Sequence, residues 1–383
     1  MKNRTWAEID INNLFFNIRQ IKSVIPKKTA ILAAVKANAY GHDSIEISRQ
    51  LSGSVDMFGV ASVDEALELR EHGIKDDILI LSPIMGSDIG KILKNNIMTN
   101  INSLRFAKEL NREAKKRNLT ARAHIEVDTG MNRTGIDHRE AVENIEKIFK
   151  MNHISAEGVF SHFAEAEKKD RSFSIEQKTR YDIIIKSLND RGIEFKFLHF
   201  ANSSALVNIK DSFYNLVRPG IMLYGHYTDK FLKDKIKLKP VMRLKTRIGQ
   251  IKNINKGDSI SYDRTFTANK SMRIGTTLIG YGDGYPRLLS NKADMFVSNC
   301  SCRVLGNVCM DLTMIDISLC KDVNPGDEVE VFGDNISVDT LAELCGNINY
   351  EIMTGIGPRV PRIFFRNGKY YEKTILSLNH NGG

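Results

Sequence analysis

The sequence predicts an α/β protein with an N-terminal (β/α)8 TIM-like barrel and a C-terminal, mostly-β domain. Between residues 11 and 235, short apolar runs of strand length alternate with longer segments of helical periodicity. About eight such runs in about 200 residues favour a closed parallel barrel over an open sheet. After residue 236 the pattern changes to short alternating runs bounded by turn residues.

The barrel is predicted to span residues 11–235. Its candidate strands are Ile31–Val35, Met57–Ala61, Asp77–Leu81, Ile97–Ile101, Arg122–Val127, Ser155–Phe160, Phe195–Phe200 and Asn215–Val217. Helical patterns between them include Ser62–His72, Ser103–Arg117, Arg139–Phe149 and Ile175–Asp190. The stretch from Ser62 to Glu65 is typical of a capping box that opens one of these helices.

The second domain is predicted to span residues 236–383, and residues 1–10 are expected to add a strand to it. The turn signals Asn255–Asp258 and Asn324–Asp327 separate its short strands. One helix is predicted over Ser337–Cys345. The candidate strands are Lys245–Ile251, Arg273–Ile279, Cys302–Leu305, Leu312–Ile317 and Glu328–Phe332.

Composition excludes several classes of protein. The chain has 383 residues, 42% hydrophobic and 26% charged, as in ordinary globular proteins. No apolar run approaches the ~20 residues that span a bilayer, and the N-terminal residues lack the apolar segment of a secretory signal. The five cysteines are odd in number and fit no zinc spacing, so reduced thiols in a cytoplasmic protein, without a metal, are expected. The net charge of +9 is scattered and accompanies no nucleic-acid motif.

The segment Ala33–His42 carries the strongest chemical signal. Lys36 ends an apolar run, and a lysine held in a dry pocket at a strand end loses its proton readily and condenses with carbonyl groups. Tyr40 offers a hydroxyl to an anion, and Gly41 allows a close approach of backbone. An isolated strand-end lysine more often only reaches solvent, so the assignment depends on the surrounding motif.

Other candidates also follow predicted strands. Asn202-Ser203-Ser204 offers hydroxyl and amide groups to a phosphate, although a plain helix cap explains Ser203 about as well. Gly220, in the run Val217–Ile221, permits an anion near the backbone. In (β/α)8 barrels the reacting groups gather at the C-terminal ends of the strands. The residues that lie at or just past such ends are Lys36, Arg133, His162, Ser203 and Arg218.

These motifs, in this order, resemble the alanine racemases. Further matches are Val127–Arg133, Gly280–Gly284, Val308–Asp311, Asn349–Ile352 and Arg359–Phe365, so the resemblance covers nearly the whole chain. It implies a homodimeric racemase that supplies D-alanine for peptidoglycan, with pyridoxal 5'-phosphate on Lys36. It also implies that Arg218, beside His162, contacts the pyridine nitrogen. The phosphate contacts it implies are Tyr40, Ser203, Gly220, Ile221 and Tyr350.

By the same resemblance, the substrate carboxylate meets Arg133 and the backbone of Met310. Racemisation needs one acid/base group on each face of the α-carbon. The resemblance assigns Lys36 to one face and Tyr262, from the partner subunit, to the other. Without its motif, Tyr262 reads as a packing residue of a β domain.

Three positions depart from the family pattern. Asp43 and Asp263 stand where the family usually has glycine. Glu126 stands where many members have a lysine that carbon dioxide carbamylates. Strand alternation predicts that Glu126 points into the barrel, where a carboxylate needs a partner, and Arg133 is the expected one.

Other functions remain open at this stage. A racemase of the same fold that prefers serine or has broad specificity is the nearest alternative. A decarboxylase of basic amino acids on the same barrel is more distant. A non-catalytic protein that binds pyridoxal 5'-phosphate is expected to lack the β domain and an equivalent of Tyr262.

Overall fold

The computed structural model describes residues 3–372, and they form two compact units. The chain begins with strand β1 (Thr5–Asp10) and helix α1 (Ile11–Val24). One unit holds the chain up to Leu14, the short stretch Tyr40–His42 and the described residues from Pro240 onwards. The other unit holds Phe15–Ala39 and Asp43–Lys239.

The second of these units is a closed parallel barrel. Its neighbours run in the order β2-β3-β4-β5-β6-β8-β9-β10, and β10 pairs with β2, which closes the ring. The short strand β7 extends one side of β6. The strands are β2 (Ala30–Ala34), β3 (Met57–Val60), β4 (Asp77–Ile80), β5 (Met98–Ile101), β6 (Ala121–Asp128), β7 (Ile136–Asp137), β8 (Ile154–Phe160), β9 (Phe197–Asn202) and β10 (Leu216–Arg218).

The predicted barrel is therefore confirmed, and every predicted barrel strand overlaps an observed one with bounds that differ by at most two residues. The four named helical patterns each correspond to an observed helix. The helical segments of the barrel unit are the left-handed turn α2 (Lys36–Tyr40), α3 (Ser44–Leu51), α4 (Val63–Glu71), α5 (Ile89–Lys94), α6 (Leu104–Lys116), α7 (Ala141–Phe149), α8 (Ser172–Asp190) and α9 (Ala205–Asn208). No helix among residues 3–372 is long and apolar enough to cross a bilayer.

Half of the predicted capping box at the start of α4 is wrong. The Ser62 hydroxyl accepts a hydrogen bond from the N–H of Glu65, as predicted. The Glu65 carboxylate does not return to the N–H of Ser62. It accepts instead from the N–H groups of Ala61 and Ala37. The carboxylate reaches past its own helix because the ends of β2 and β3 present those two donors beside it.

The barrel interior changes character along its strands. A buried apolar cluster is formed by one residue from each of five strands, namely Leu32, Met57, Leu79, Met98 and Leu216. Two residues further along β5 and β10, the side chains are those of Asn100 and Arg218. Residues two apart on a strand share a face, so the C-terminal end of the barrel interior is polar, where this fold places its chemistry.

The other unit is built on a mainly antiparallel sheet of nine strands. Their order is β14-β17-β16-β15-β18-β11-β1-β19-β20, and β14 also pairs with β11. The predicted N-terminal strand is confirmed, because β1 pairs antiparallel with β11 and parallel with β19.

The five strands and the helix predicted for this unit each overlap an observed element, and the unit contains further short elements that were not predicted. The helices are α10 (Val338–Cys345) and α11 (Asn349–Thr354). A separate two-stranded sheet joins β12 and β13. The strands are β11 (Met242–Ile254), β12 (Ser259–Ile260), β13 (Phe266–Thr267), β14 (Met272–Thr277), β15 (Asp294–Val297), β16 (Cys300–Leu305), β17 (Thr313–Asp316), β18 (Glu328–Phe332), β19 (Arg362–Arg366) and β20 (Lys369–Glu372).

Candidate active site

Lys36 begins a left-handed turn directly after β2. Four consecutive residues without the freedom of glycine, Ala37 to Tyr40, have φ between 52° and 54°. The N–H of Ala39 donates to the carbonyl of Val35, and the side-chain oxygen of Asn38 accepts from the N–H of Ser44. The backbone of this turn is strained, so tertiary contacts must hold it.

Asp43 fits where the family usually has glycine. Its φ is 78°, in the left-handed region that aspartate tolerates better than most residues. Its carboxylate accepts a hydrogen bond from the N–H of Glu46 and so caps α3. The departure therefore replaces a permissive residue with one that also begins the next helix.

The pKa of the Lys36 amine is lowered, first by burial and then by the positive charge of Arg133. Arg218 lowers this pKa as well, while the Glu65 carboxylate raises it. Burial and the same charges, including that of Lys36 itself, hold the pKa of His162 well below its usual range. The structure thus brings Lys36, Arg133, His162 and Arg218 together at the C-terminal end of the barrel.

Arg218 is buried and surrounded by acceptors. Its guanidinium donates to His199 Nδ1 at 2.8 Å, and to the carbonyl oxygens of Ser161 at 2.7 Å and Phe200 at 3.1 Å. His162 Nδ1, the predicted neighbour, lies at 3.2 Å. Burial lowers the pKa of Arg218 to about 10, which leaves it charged at neutral pH. The Arg218 side chain therefore lies inside the barrel and not on the protein surface.

The charge on Arg218 fixes the hydrogen positions of the histidines behind it. Arginine only donates, so Nδ1 of His199 accepts and a neutral ring carries its hydrogen on Nε2. That atom lies 2.7 Å from Nδ1 of His124, which therefore accepts in turn. Nε2 of His124 is buried and makes no hydrogen bond within the described part of the chain. Burial lowers the pKa of His124 to about 3, so both rings remain neutral.

Ser203 is buried, and its hydroxyl accepts a hydrogen bond from the N–H of Gly220 at 2.9 Å. The two motifs predicted to hold a phosphate therefore meet. Ile221, beside Gly220, is also buried. A plain helix cap does not explain Ser203, because the side-chain oxygen of Asn202 accepts from the N–H of Ala205 at the start of α9.

Glu126 is buried inside the barrel, as predicted, but its expected partner is wrong. Its carboxylate accepts from the Asn100 amide at 2.6 Å. It forms no ion pair with Arg133 within 4 Å among residues 3–372. Asn100 lies on the neighbouring strand β5, whereas Arg133 follows the end of β6 on an exposed loop. Burial raises the pKa of Glu126, and the Asn100 bond and the charges of Arg133 and Arg218 oppose that rise.

In the other unit, Tyr40 and Tyr350 lie together, with ring centroids 5.8 Å apart. Burial raises the pKa of Tyr40 to about 12, so its hydroxyl keeps its proton at neutral pH. Gly41 has φ of +86°, and a Cβ there would lie 2.3 Å from the carbonyl oxygen of Met353. The predicted close approach at Gly41 is therefore confirmed, and only glycine fits.

Tyr262 lies on an exposed turn that is itself strained. Ser261, Asp263 and Arg264 all have positive φ, between 53° and 67°. The Asn307 amide donates to the carbonyl of Tyr262 at 2.9 Å and to the Asp263 carboxylate at 3.0 Å. The aspartate that replaces the usual glycine thus serves as an acceptor that holds the turn.

The Tyr262 side chain is 70% exposed and that of Met310 is 53% exposed. Both line an open pocket of about 480 Å³ together with Ser261, Cys309, Asp311 and Leu312. The predicted candidates therefore form one group in the barrel (Lys36, Glu126, Arg133, His162, Ser203, Arg218, Gly220 and Ile221) and a second in the β unit (Tyr40, Tyr262, Met310 and Tyr350).

Sequence reasoning missed four residues that hold these groups. His199 has a signal, since it lies in a buried strand three residues before the Asn202 motif. Glu65 was assigned to a local cap. Asn100 and Asn307 carry no local signal, because an asparagine in a strand or loop is compatible with many roles.

Comparison with known families extends over both units. The family description "Alanine racemase, N-terminal domain" matches residues 9–228. The description "Alanine racemase, C-terminal domain" matches residues 241–364. The alanine racemase of Clostridium tetani is 41% identical over 371 residues, which cover 95% of this chain and 96% of that protein. That of Halothermothrix orenii is 39% identical over 363 residues, or 94% and 96% of the two chains.

Solved structures agree with these sequence relatives. The alanine racemase of Clostridium difficile 630 superimposes with a TM-score of 0.95 at 34% identity, covering 97% of this chain and 98% of that one. The Bacillus anthracis alanine racemase with bound L-Ala-P gives a TM-score of 0.91 at 34% identity, with 97% of each chain covered.

The burial of Glu126 leads to a prediction about pH and stability. Because the pKa of Glu126 is raised, the folded protein still holds a proton at pH values above the ordinary glutamate pKa, where the unfolded chain has already released it. The free energy of unfolding therefore falls as the pH rises from the ordinary glutamate pKa to the raised one. Glu126→Gln keeps an acceptor for Asn100 and removes this loss. We expect the melting temperature of the variant, relative to the wild type, to rise between pH 5 and pH 8.

Calorimetry at both pH values checks this expectation, with Glu143→Gln, an exposed glutamate of α7, as the matched control. We also expect reduced activity, because a negative charge that faces Arg133 and Arg218 is lost. Added bicarbonate should restore nothing, since no lysine is available there to be carbamylated. If wild type and Glu126→Gln show the same pH dependence of melting temperature and the same activity, the Glu126 carboxylate has neither the stability role nor the catalytic role expected for it.

Proposed function

Since the chain belongs to the alanine racemase family, we propose that it interconverts L-alanine and D-alanine with pyridoxal 5'-phosphate (PLP) as cofactor. The observation that carries the proposal is Lys36, an amine with a lowered pKa at the C-terminal end of a barrel strand, beside Arg133 and Arg218. An enzyme of this kind is an isomerase that moves a single proton at the α-carbon.

The charges around Lys36 fit an anionic cofactor and an anionic substrate. Three cations, Lys36, Arg133 and Arg218, influence one another there, and such a field attracts phosphate and carboxylate groups. The Ser203 hydroxyl, which accepts from the N–H of Gly220, has its own hydrogen to donate to a phosphate. Ile221, Tyr40 and Tyr350 share this role by the family resemblance, and the Tyr40 hydroxyl keeps its proton for donation.

When bound, PLP stabilises the electron pair that remains on the α-carbon after its proton leaves. Lys36 accepts that proton at Nζ on one face, and in the reverse direction of the reaction it donates a proton there. Its lowered pKa supports this role, because a larger neutral fraction of the amine is present near neutral pH. Arg133 and the backbone of Met310 hold the substrate carboxylate and so keep the α-carbon in reach of the amine.

Arg218 governs what kind of reaction follows. It remains charged and only donates, so it does not readily give up a proton to the pyridine nitrogen that it would contact. A ring without that proton withdraws electrons less strongly, which favours return of the proton to the α-carbon over transamination. His162 and His199, both neutral, hold the guanidinium in place.

Tyr262 supplies the acid/base group on the second face, from the partner subunit of a homodimer. Its side chain is exposed and its backbone is held by Asn307, which supports a role toward a second copy of the chain. We further propose a cytoplasmic enzyme that supplies D-alanine for peptidoglycan. The cysteine content supports a reducing compartment, since the five cysteines are odd in number and fit no zinc spacing.

A serine or broad-specificity racemase of the same fold is the second candidate. Tyr350, packed against Tyr40, is the residue expected to crowd side chains larger than a methyl group. A pocket without provision for a hydroxyl discriminates against it by only about 10²-fold, so slow serine turnover is compatible with alanine as the main substrate.

One prediction tests the racemase activity and the attachment of the cofactor to Lys36 together. Purified protein with PLP should convert L-alanine to an equal mixture of enantiomers, measured by chiral chromatography, and should turn over L-serine more slowly. Borohydride, which makes the link between cofactor and lysine permanent, should label Lys36 in a peptide map. Equal or faster turnover of serine would favour the second candidate, and a label on another lysine would refute the site.

Another prediction concerns the role of Tyr262 as the acid/base group of the second face. Tyr262→Phe should lose racemisation and keep PLP, because one face of the α-carbon no longer has a proton donor. Exchange of the α-proton in deuterium oxide should survive for one enantiomer better than for the other, by NMR. Tyr370→Phe, another exposed tyrosine of the same unit, is the control.

Mixing tests whether the site is shared. Lys36→Ala and Tyr262→Phe chains, each inactive, should recover part of the activity in verified mixed dimers. Near-normal racemisation by Tyr262→Phe alone, or no recovery in mixed dimers, would contradict the two-subunit arrangement.

A further inference from the structure

The Glu65 carboxylate joins the C-terminal ends of two neighbouring strands. One oxygen accepts from the N–H of Ala37, immediately after Lys36, at 2.7 Å. The other accepts from the N–H of Ala61, immediately after β3, also at 2.7 Å. Both bonds are charge-assisted, which makes them stronger than bonds between neutral groups. The same residue is fixed from behind, because its own N–H donates to the Ser62 hydroxyl at the start of α4.

The turn that Glu65 grips needs such support. Ala37, Asn38, Ala39 and Tyr40 all have positive φ, and a left-handed conformation is unfavourable for each residue with a Cβ. Backbone strain of this kind persists only where the surroundings over-determine it, and it concentrates at functional sites. The bond to Ala37 holds the first residue of the turn, where the chain direction departs from β2.

We propose that Glu65 is a positioning residue for Lys36: its carboxylate fixes the left-handed turn and thereby the place of the amine at the barrel end. The inference rests on the proposed function, in which Lys36 carries the cofactor and moves the α-proton. A helix cap would explain Glu65 without any such role, but a cap would bond to the N–H of Ser62, and this carboxylate does not.

Glu65 also sets the charge around the amine. It is the acid that raises the pKa of Lys36 against burial, Arg133 and Arg218, all of which lower it. The side chain therefore has two separable effects, one of geometry and one of charge. A conservative pair of variants separates them. Glu65→Gln keeps the length but loses the charge and one acceptor, whereas Glu65→Asp keeps the charge but is too short to reach both N–H groups.

The experiment measures two quantities on Glu65→Gln, Glu65→Asp and a matched control, Glu68→Gln, which removes an exposed glutamate of the same helix. The first is kcat and KM for L-alanine in the enzyme with PLP. The second is the pH at which Lys36 becomes reactive in the full-length, cofactor-free chain, followed by acetic anhydride labelling and peptide mapping. Circular dichroism verifies folding.

For Glu65→Gln we expect kcat to fall about tenfold or more, the equivalent of at least one charge-assisted hydrogen bond. KM should change less, and the labelling midpoint of Lys36 should move to lower pH. For Glu65→Asp we expect a similar fall in kcat with a midpoint close to the wild type. Glu68→Gln should match the wild type in both measurements.

Glu65→Gln indistinguishable from Glu68→Gln in kcat and in labelling would overturn the proposal. If Glu65→Gln does not fold, Glu65→Asp decides, and a wild-type kcat in that variant overturns it as well. Lys36→Ala separates this failure from that of the proposed function. Racemisation that survives Lys36→Ala would refute the function, whereas an inactive Lys36→Ala with an unaffected Glu65→Gln would refute only the role of Glu65.

Discussion

The buried guanidinium of Arg218 is the constraint on which the barrel end depends. A charge without solvent is costly unless acceptors surround it, and this one has two carbonyl oxygens and two imidazole nitrogens. Because it only donates, the histidine nitrogens that face it must accept. Burial is the main cause that keeps these rings neutral and lowers the pKa of Lys36, and the charges of Arg133 and Arg218 lower that pKa further. Burial and a guanidinium that stays charged thus act in the same direction on each of these groups.

Both proposed acid/base groups stand on strained backbone. The turn after Lys36 and the turn around Tyr262 each contain three or more residues other than glycine with positive φ. In each case a side chain from another element grips the turn, Glu65 in the barrel and Asn307 in the β unit. Strain held in this way limits the positions that the side chain can take, which is what proton transfer at a single carbon atom requires.

The sequence predicts strands and strand-end residues well, and partners across the fold poorly. Short continuous apolar runs identify the barrel strands, because a parallel sheet buries both of its faces. The motif residues that follow strand ends, such as Lys36 and Arg218, reach one end of the barrel for the same topological reason. The predicted partner of Glu126 is wrong because a glutamate side chain is long enough to reach donors on neighbouring strands. Its observed donor, Asn100, is far away in sequence, so no local pattern indicates it. The role of Glu65 was missed for a related reason. Its local motif is typical of a helix cap, and only the folded structure shows that the N–H groups of Ala37 and Ala61 at the strand ends lie beside its carboxylate.

The protonation state of the histidines around Arg218 tests this account most directly. Nitrogen-15 NMR of the full-length protein with labelled histidine reports which ring nitrogens carry hydrogen, and His199→Gln and His124→Gln assign the signals. At pH 7 we expect His199 and His124 to be neutral, each with its hydrogen on Nε2, and to stay so as the pH is lowered to 5. A doubly protonated ring at either position, or a hydrogen on Nδ1 of His199, would contradict the claim that a permanently charged Arg218 sets the chemistry of the site.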